Sequence, residues 1–271
     1  MVVFPNCKLN IGLYITEKRS DGYHNLETVF VPLPLTDCLE IIPSNDFQFQ
    51  SSGLPIASTN DNNLCVKAYQ LLKQYHPQMG SLHMHLHKII PMGAGLGGGS
   101  ADGAFALMAM NKQFNLQLTD NELKAYALQL GSDCPFFIEN KPCFANGRGE
   151  NLTPINLLLK GYSCWVINPQ IHVSTAWAFA QIQPQKAEVN LVEAIQQPMN
   201  EWKKYITNQF QEPVAKSYPA IAEIVATLYQ QGAVYAAMTG SGSTVYGIFE
   251  SSFEPSFSFP ANYWVKQLTF N

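Results

Sequence analysis

Pro91-Met-Gly-Ala-Gly-Leu-Gly-Gly-Gly-Ser100-Ala101 is a glycine-rich turn between two periodic segments, and those flanks decide how it reads. Upstream, Leu82, Met84 and Leu86 alternate with His83, His85 and His87, the period-two pattern of a half-buried strand. Downstream, Phe105, Leu107, Met108 and Leu116, with many alanines, predict a helix that buries most of its sides. A strand therefore runs into a glycine loop that opens a helix. Five glycines let the backbone approach an anion closely and take positive φ where a side chain would clash. The first N–H groups of a helix have no intrahelical partner, and the helix dipole puts positive potential at that end. An oligophosphate would satisfy both, so the stretch reads as a phosphate cradle.

Three loop types share these letters. Gly93-x-Gly95-x-x-Gly98 fits a dinucleotide fingerprint, but that fingerprint needs an acidic residue closing a second strand about 20 residues on. The acids at that distance, Asp120 and Glu122, belong to Thr119-Asp-Asn-Glu122, which reads as a helix capping box. Gly93-x-x-x-x-Gly98-Gly99-Ser100 is a Walker A frame with glycine where the phosphate-binding lysine must stand, so it is not a P-loop. Third, Pro91-x-x-x-Gly95-Leu-Gly-Gly-Gly-Ser100 resembles the loop of the GHMP kinases, which hold ATP phosphates on a helix N-terminus without a loop lysine. A merely flexible loop is the bland alternative.

The 271 residues suffice for two modest domains with substantial cores. A net charge of -4 gives no general electrostatic reason to bind nucleic acid or an anionic membrane, so any anion site must be local. Met1-Val-Val-Phe-Pro-Asn6 lacks the basic and apolar regions of a signal peptide, and no stretch approaches about 18 uncharged apolar residues. A soluble, cytoplasmic protein is expected, monomeric or homodimeric. Cys7, Cys38, Cys65, Cys134, Cys143 and Cys164 are scattered without a C-x-x-C pair and read as packing thiols.

Cys7, Leu9, Ile11, Leu13 and Ile15 predict a strand with one buried face, which puts Lys8 and Asn10 together on the opposite face. Arg19-Ser-Asp21-Gly22 is a hairpin signal that returns the chain through Tyr23 and His24 into the run Leu26 to Leu35. An aromatic beside an imidazole suits stacking on a base, although an ordinary turn accounts for the same letters. Asp61-Asn-Asn63-Leu-Cys-Val-Lys67-Ala reads as a capped helix start. Three histidines on one strand face raise a zinc hypothesis, against which alternation with core residues already explains them as an outward face. Lys88 closes that strand just before the loop, where solvation would explain it.

Thr119 to Leu130 reads as a capped amphipathic helix ending at Gly131. In Gly131-Ser-Asp133-Cys-Pro135-Phe-Phe, the aspartate either caps a new helix or does chemistry. Asn146-Gly-Arg-Gly-Glu150 reads as a turn-rich hinge, and the domain boundary is set near 152, giving domains over 1–152 and 153–271. Asn190 to Tyr218 reads as helical and polar. Ala233 to Met238 and Val245 to Phe249 read as strands joined by Thr239-Gly240-Ser241-Gly242-Ser-Thr. No function is read from the aromatic tail, Phe253 to Asn271.

Beyond the glycine loop, Lys8-Leu-Asn10, Arg19-x-Asp21-Gly22-Tyr23-His24, Glu27-Thr-Val-Phe30, Gly131-x-Asp133-x-Pro135-Phe-Phe and Pro169-x-x-x-Val173-Ser-Thr-x-x-x-Phe179 resemble one branch of the GHMP kinases. Its acceptor is a cytidine-diphosphate-linked methylerythritol, phosphorylated at the tertiary 2-hydroxyl in the non-mevalonate route to isoprenoids. The resemblance spans nearly the whole chain. It implies an α+β, two-domain fold, with an N-terminal ATP-binding domain like ribosomal protein S5 domain 2 and a ferredoxin-like C-terminal domain.

It also implies roles. Asp133 would be the base, assisted by Lys8, which would keep it ionised. Pro91, Met92, Gly93, Ala94, Gly95, Leu96, Gly97, Gly98, Gly99, Ser100 and Ala101, with Asn63 and Lys88, would bind ATP. Ser100 is the candidate ligand for the accompanying Mg²⁺. Tyr23 and Phe179 would sandwich the cytosine, His24 would hydrogen-bond it and Asn10 would help position the acceptor. Gly240, Ser241 and Gly242 would form the third glycine motif, packed against the phosphate loop.

Departures from the family pattern include Cys7 for alanine, Ala101 for serine, Asp102-Gly103 for Asn-Ala and Thr239 for serine, with Asn208-Gln-Phe-Gln211 where Asn-Asp-Phe-Glu is usual. Asp102 matters most, since its carboxylate would sit near the phosphates unless it turns away or meets the metal. A GHMP kinase for another alcohol, or a nucleotide-binding protein without activity, are the alternatives. The first has no reason to keep the Asp-Gly-Tyr-His hairpin, and the second none to keep Lys8 and Asp133.

Overall fold

Hydrophobic period and turn chemistry lay out a mixed succession of strands and helices, seen in a computed structural model that describes residues 1–56 and 62–270. The chain opens with β1 (Val2–Val3), β2 (Asn6–Lys18), β3 (His24–Thr36), β4 (Cys38–Ser44) and β5 (Gln48–Gly53). Then come α1 (Leu64–Tyr75), β6 (Ser81–Lys88), α2 (Gly98–Gln113), α3 (Asp120–Leu130) and α4 (Phe136–Glu139). Strands β7 (Cys143–Asn146), β8 (Asn151–Pro154) and β9 (Tyr162–Asn168) precede the short helices α5 (Thr175–Ala180), α6 (Leu191–Ala194), α7 (Trp202–Tyr205) and α8 (Gln211–Ser217). Helix α9 (Ala220–Gln230) and strands β10 (Tyr235–Met238), β11 (Val245–Glu250) and β12 (Trp264–Thr269) complete it.

Two compact units interleave along the chain. One comprises Met1–Cys7, Leu35–Met92 and Gly97–Lys141, and the other Lys8–Pro34, Gly93–Leu96 and Pro142–Asn271.

In the first unit a sheet of order β1-β4-β6-β5 carries helices α1 to α4, with β4 antiparallel and β5 parallel to β6. The alternation in β6 buries Leu82, Met84 and Leu86, turns the histidines outward, and makes Lys88 the next inward position. Lys88 is 1% exposed, so solvation does not account for it. Helix α1 starts where the Asn63 side chain accepts from Cys65 N at 2.9 Å. The capping box of Thr119 and Glu122 opens α3. Gly103 lets α1 and α2 meet closely, since a Cβ there would lie 2.9 Å from the Leu64 side chain. Helix α2 ends at Gln113, and Asn115 and Gln117 follow at positive φ, which leaves Leu116 outside the helix its apolar character had suggested.

The second unit holds a sheet of order β2-β3-β7-β8 and an antiparallel sheet of order β10-β11-β9-β12, with α9 against β10 and β11. Two expectations change here. Strand β2 is buried on both faces from Asn6 to Ile15, so Lys8 and Asn10, each 3% exposed, do not lie on a solvated face. Asn146–Glu150 is not a hinge but the turn of a hairpin, since Asn146 pairs with Asn151 across β7 and β8. The tail contributes β12, which pairs with β9; Asn271 lies outside the described residues, as does Asp61.

The polar stretch after Asn190 is a series of short helical turns, with Trp202 buried, rather than one long helix. At its end, Asn208-Gln-Phe-Gln211 works as a backbone clip. Asn208 Nδ2 donates to Met238 O at 2.7 Å and Gly240 O at 2.9 Å, while its Oδ1 accepts from Phe210 N at 2.9 Å. Gln209 Oε1 accepts from Ile15 N at 2.6 Å, and Gln211 Oε1 from Met238 N at 2.7 Å. Glutamines thus do here what needs only an acceptor, and no charge. Asn208→Ala would strand several buried groups and should destabilise the fold by about 2–4 kcal/mol in urea unfolding, whereas a change within error would refute the clip.

Candidate active site

Alternate glycines take the left-handed conformation along the loop, with φ of 63° at Gly93, 80° at Gly95 and 70° at Gly97. L-residues with side chains rarely adopt it, which is why the spacing is Gly-x-Gly-x-Gly. Backbone amides in such a run converge on an anion. Gly97 is the N-cap of α2 and no side chain caps that end, while Ala101 N makes a helical bond to Gly97 O at 2.9 Å. An uncapped helix N-terminus behind a glycine loop is the fit an oligophosphate requires.

Within the second unit, Gly93 to Leu96, Lys8, Asn10 and the third glycine motif are brought together. Lys8 N donates to Leu96 O at 2.9 Å, and Lys8 Nζ reaches Asn10 Oδ1 and, at 3.5 Å, Gly95 O. A Cβ on Gly95 would lie 2.1 Å from Thr239 O, and one on Gly240 would lie 3.0 Å from Gly95 Cα. The Thr239 hydroxyl accepts from Asn10 N at 3.0 Å and faces Gly95 O at 3.2 Å. Asn10 is held further by Thr28, to which its Nδ2 donates at 3.0 Å, and by Tyr246, whose hydroxyl donates to Asn10 O at 2.9 Å. Ser241 Oγ lies 3.2 Å from Thr175 Oγ1, and Gly242 takes a φ of 91°.

The same unit carries the aromatic group. Asp21 closes the hairpin by accepting from Tyr23 N at 3.1 Å and from the Arg19 guanidinium at 2.9–3.1 Å. Arg19 and Asp21 therefore build the turn that presents Tyr23 and His24. His24 stacks on Phe179, with ring centroids 4.8 Å apart, and the Arg148 guanidinium lies 4.2 Å from the centre of the Tyr23 ring. The two rings expected to sandwich one base thus each have a partner of their own. Burial, then the charge of Lys18, lowers the His24 pKa, which favours a neutral imidazole with one donor and one acceptor.

The first unit holds Pro91, Met92 and Gly97 to Ala101, together with Asn63, Lys88 and Asp133. Gly99 faces the flexible end of Met92. The Ser100 hydroxyl hydrogen-bonds the Cys134 thiol, which burial pushes up to about 12. Asp133 immediately precedes Cys134, so its turn abuts the start of α2. It is half-buried, and α4 follows with Pro135 as its N-cap residue. Among the described residues, no group of three or more His, Cys, Asp or Glu side chains could hold a metal ion. His85 and His87 both meet Ser52 Oγ at 2.9 Å.

Lys88 Nζ is bound by two carboxylates, Asp37 Oδ2 and, at 2.7 Å, Asp102 Oδ2. Asp102 therefore turns to Lys88. Its Oδ1 is buried without a hydrogen-bond partner, and burial, against the pull of Lys88, raises its carboxyl to about 7.

Profiles for the GHMP kinases N terminal domain and the GHMP kinases C terminal domain match residues 63–141 and 190–256. A Bacteroides fragilis (strain YCH46) protein, 4-diphosphocytidyl-2-C-methyl-D-erythritol kinase, is 51% identical over 96% of this chain and 98% of its own. The chain belongs to the GHMP kinases, in the family of that relative. A crystal structure of 4-(cytidine 5'-diphospho)-2C-methyl-D-erythritol kinase superposes on this GHMP kinase with a TM-score of 0.79 at 27% identity, covering 100% of both chains. Homoserine kinase from Cytophaga hutchinsonii, at 12% identity and a TM-score of 0.68 over 98% of this chain and 95% of that one, shares the fold. The fold is thus α+β with the two GHMP domains. Among the described residues no helix is long and apolar enough to cross a membrane.

Sequence reasoning missed Asp37, Arg148 and the structural use of Asn208. Asp37 is the one with a legible signal, because the inward position of Lys88 in β6 demanded a buried acid somewhere. The Asp102 carboxyl holds its proton to higher pH when folded, so the native chain binds more protons than the unfolded one between the ordinary carboxylate range and about 7. That contribution is full at the acid end and is lost as pH rises through about 7. Urea titrations from about pH 4 to about pH 8 should show the stability difference between wild type and Asp102→Asn shrinking with rising pH, and a constant difference would contradict the assignment.

Proposed function

We propose that the chain transfers the γ-phosphoryl group of ATP to the 2-hydroxyl of 4-diphosphocytidyl-2-C-methyl-D-erythritol, giving the 2-phosphate and ADP, with Asp133 as base. The observation that carries the reading is the run of left-handed glycines leading into the uncapped start of α2, with the Asp133 turn tied to that start through Ser100 and Cys134.

Phosphoryl transfer asks a protein for positioning and charge stabilisation more than for covalent chemistry. Backbone amides from Gly93 to Ser100 hold the phosphates. Asp133 accepts the proton of the acceptor hydroxyl as its oxygen attacks the γ-phosphorus. Lys8, kept nearly dry and fixed by Asn10, contributes positive charge toward the transferring oxygens. Ser100 and the phosphates of the nucleotide would hold Mg²⁺, which supplies neutralisation of charge on the β and γ oxygens. Asn63 and Lys88 belong to the nucleotide side, and Asn10 to the acceptor side. Residues 1–152 act as the ATP-binding domain and 153–271 as the C-terminal domain, in a cytoplasmic enzyme.

Cytosine is assigned to the group formed by Tyr23, His24 and Phe179. Stacking tolerates any base, so selectivity falls to His24. A neutral imidazole accepts from the exocyclic amine of cytosine, for which uracil has no counterpart.

Asp133→Asn should lower kcat by roughly 10²- to 10⁴-fold with little change in the KM for ATP, and Lys8→Met should likewise cost turnover more than ATP affinity. Coupled ADP release with the cytidyl substrate checks both; near wild-type turnover in Asp133→Asn removes the base. His24→Ala should lose most of the wild-type preference for the cytidyl substrate over its uridyl analogue. That preference should also fade below the lowered His24 pKa, as protonation removes the acceptor. Equal discrimination by wild type and variant would rule His24 out.

A further inference from the structure

The carboxylate of Asp37 sits where β6 gives way to the glycine loop. Its Oδ1 accepts from the amides of Ile89 at 2.6 Å and Ile90 at 2.9 Å, the two residues before Pro91. Its Oδ2 holds Lys88 Nζ, which in turn holds Asp102 in α2 at 2.7 Å. Asp37 is fully buried, and Lys88 and Asp102 are 1% and 2% exposed. A Cβ on Gly98, the first residue of α2, would lie 3.4 Å from Lys88 Nζ and 2.9 Å from the Ile90 side chain. One acidic side chain therefore grips the approach to the loop and, through Lys88, the first turns of the helix that follows it.

Stability alone gives little reason for this cluster. Taking charged groups out of water is costly, and apolar residues of similar volume commonly stabilise a core as well or better. What a hydrogen-bonded ionic cluster provides, and an apolar plug does not, is direction: each bond fixes one backbone group or side chain in place. Here the groups fixed are Ile89 N, Ile90 N and the Asp102 end of α2, which bracket the loop on both sides.

We propose that Asp37 is a positioning residue for the phosphate loop, setting the place of the α2 N-terminus and so the affinity for nucleotide phosphates, without touching the nucleotide. The proposal rests on reading the loop as the phosphate cradle. Simple electrostatics predicts the reverse effect, since removing the negative charge of Asp37 would leave Lys88 less neutralised and favour an anion. The sign of the change therefore separates positioning from charge.

The test measures ADP and adenosine binding by competition against a fluorescent nucleotide, for wild type, Asp37→Asn, Asp37→Ala and Gly99→Asp. Asp37→Asn should weaken ADP roughly tenfold and Asp37→Ala more, while adenosine changes less than about twofold, because only the phosphates depend on the helix end. Should Asp37→Ala fail to fold, Asp37→Asn, which keeps an acceptor for the two amides, still decides. Equal weakening of ADP and adenosine would mark a merely structural role and overturn the proposal, as would unchanged or tighter ADP binding. Gly99→Asp tests the loop itself: it sets a carboxylate at a helix start, where helices favour one, but repels phosphate. ADP binding lost there but kept in Asp37→Asn would overturn the proposal alone. ADP binding kept in Gly99→Asp would overturn the loop assignment and the proposal with it.

Discussion

The backbone of Gly95 passes so close to Thr239 that no Cβ fits between them, and much of the second unit follows from that approach. It requires glycine at 95 and 240. It also leaves the Gly95 carbonyl facing the Thr239 hydroxyl and Lys8 Nζ, and it orients Asn10, which bonds to the same hydroxyl. The clip of Asn208 on Met238 O and Gly240 O holds the opposite side of the motif. A glycine-rich loop has few side chains to steady it, so its steadiness comes from neighbours packed at glycine distance.

Two groups of buried polar side chains are built from residues far apart in the chain. Lys8, Asn10, Thr28 and Thr239 form one such group, and Asp37, Lys88 and Asp102 another. Each costs desolvation that is offset only when its hydrogen bonds are made, which ties the geometry of each group tightly to its sequence. The unpartnered Asp102 Oδ1 is the place where that satisfaction is incomplete. The other oxygen of that carboxylate is turned to Lys88.

Local signals were readable where one residue type has one physical job. The capping box at Thr119 and Glu122, the cap at Asn63, the hairpin at Asp21-Gly22 and the left-handed glycines of the loop all act within a few residues of themselves. Signals that depend on a distant partner were misread or left open. For Lys88 the local pattern left solvation open beside a place near the nucleotide, although its inward phase along β6 was visible, because its partners Asp37 and Asp102 lie 51 and 14 residues away. Asn146 to Glu150 has hinge-like composition, yet the partner strand β8 makes it a hairpin turn.

By itself the sequence determined the order of elements, the alternate glycines of the loop and the motif set of a GHMP kinase, because dihedral preference and periodicity are properties of neighbouring residues. Tertiary structure alone decided that both faces of β2 are covered, which turns Lys8 and Asn10 from surface residues into a dry, hydrogen-bonded pair. It alone set His24 against Phe179 and Arg148 against Tyr23. Burial and pairing depend on what a distant segment brings to the contact, and no local pattern in the chain records that.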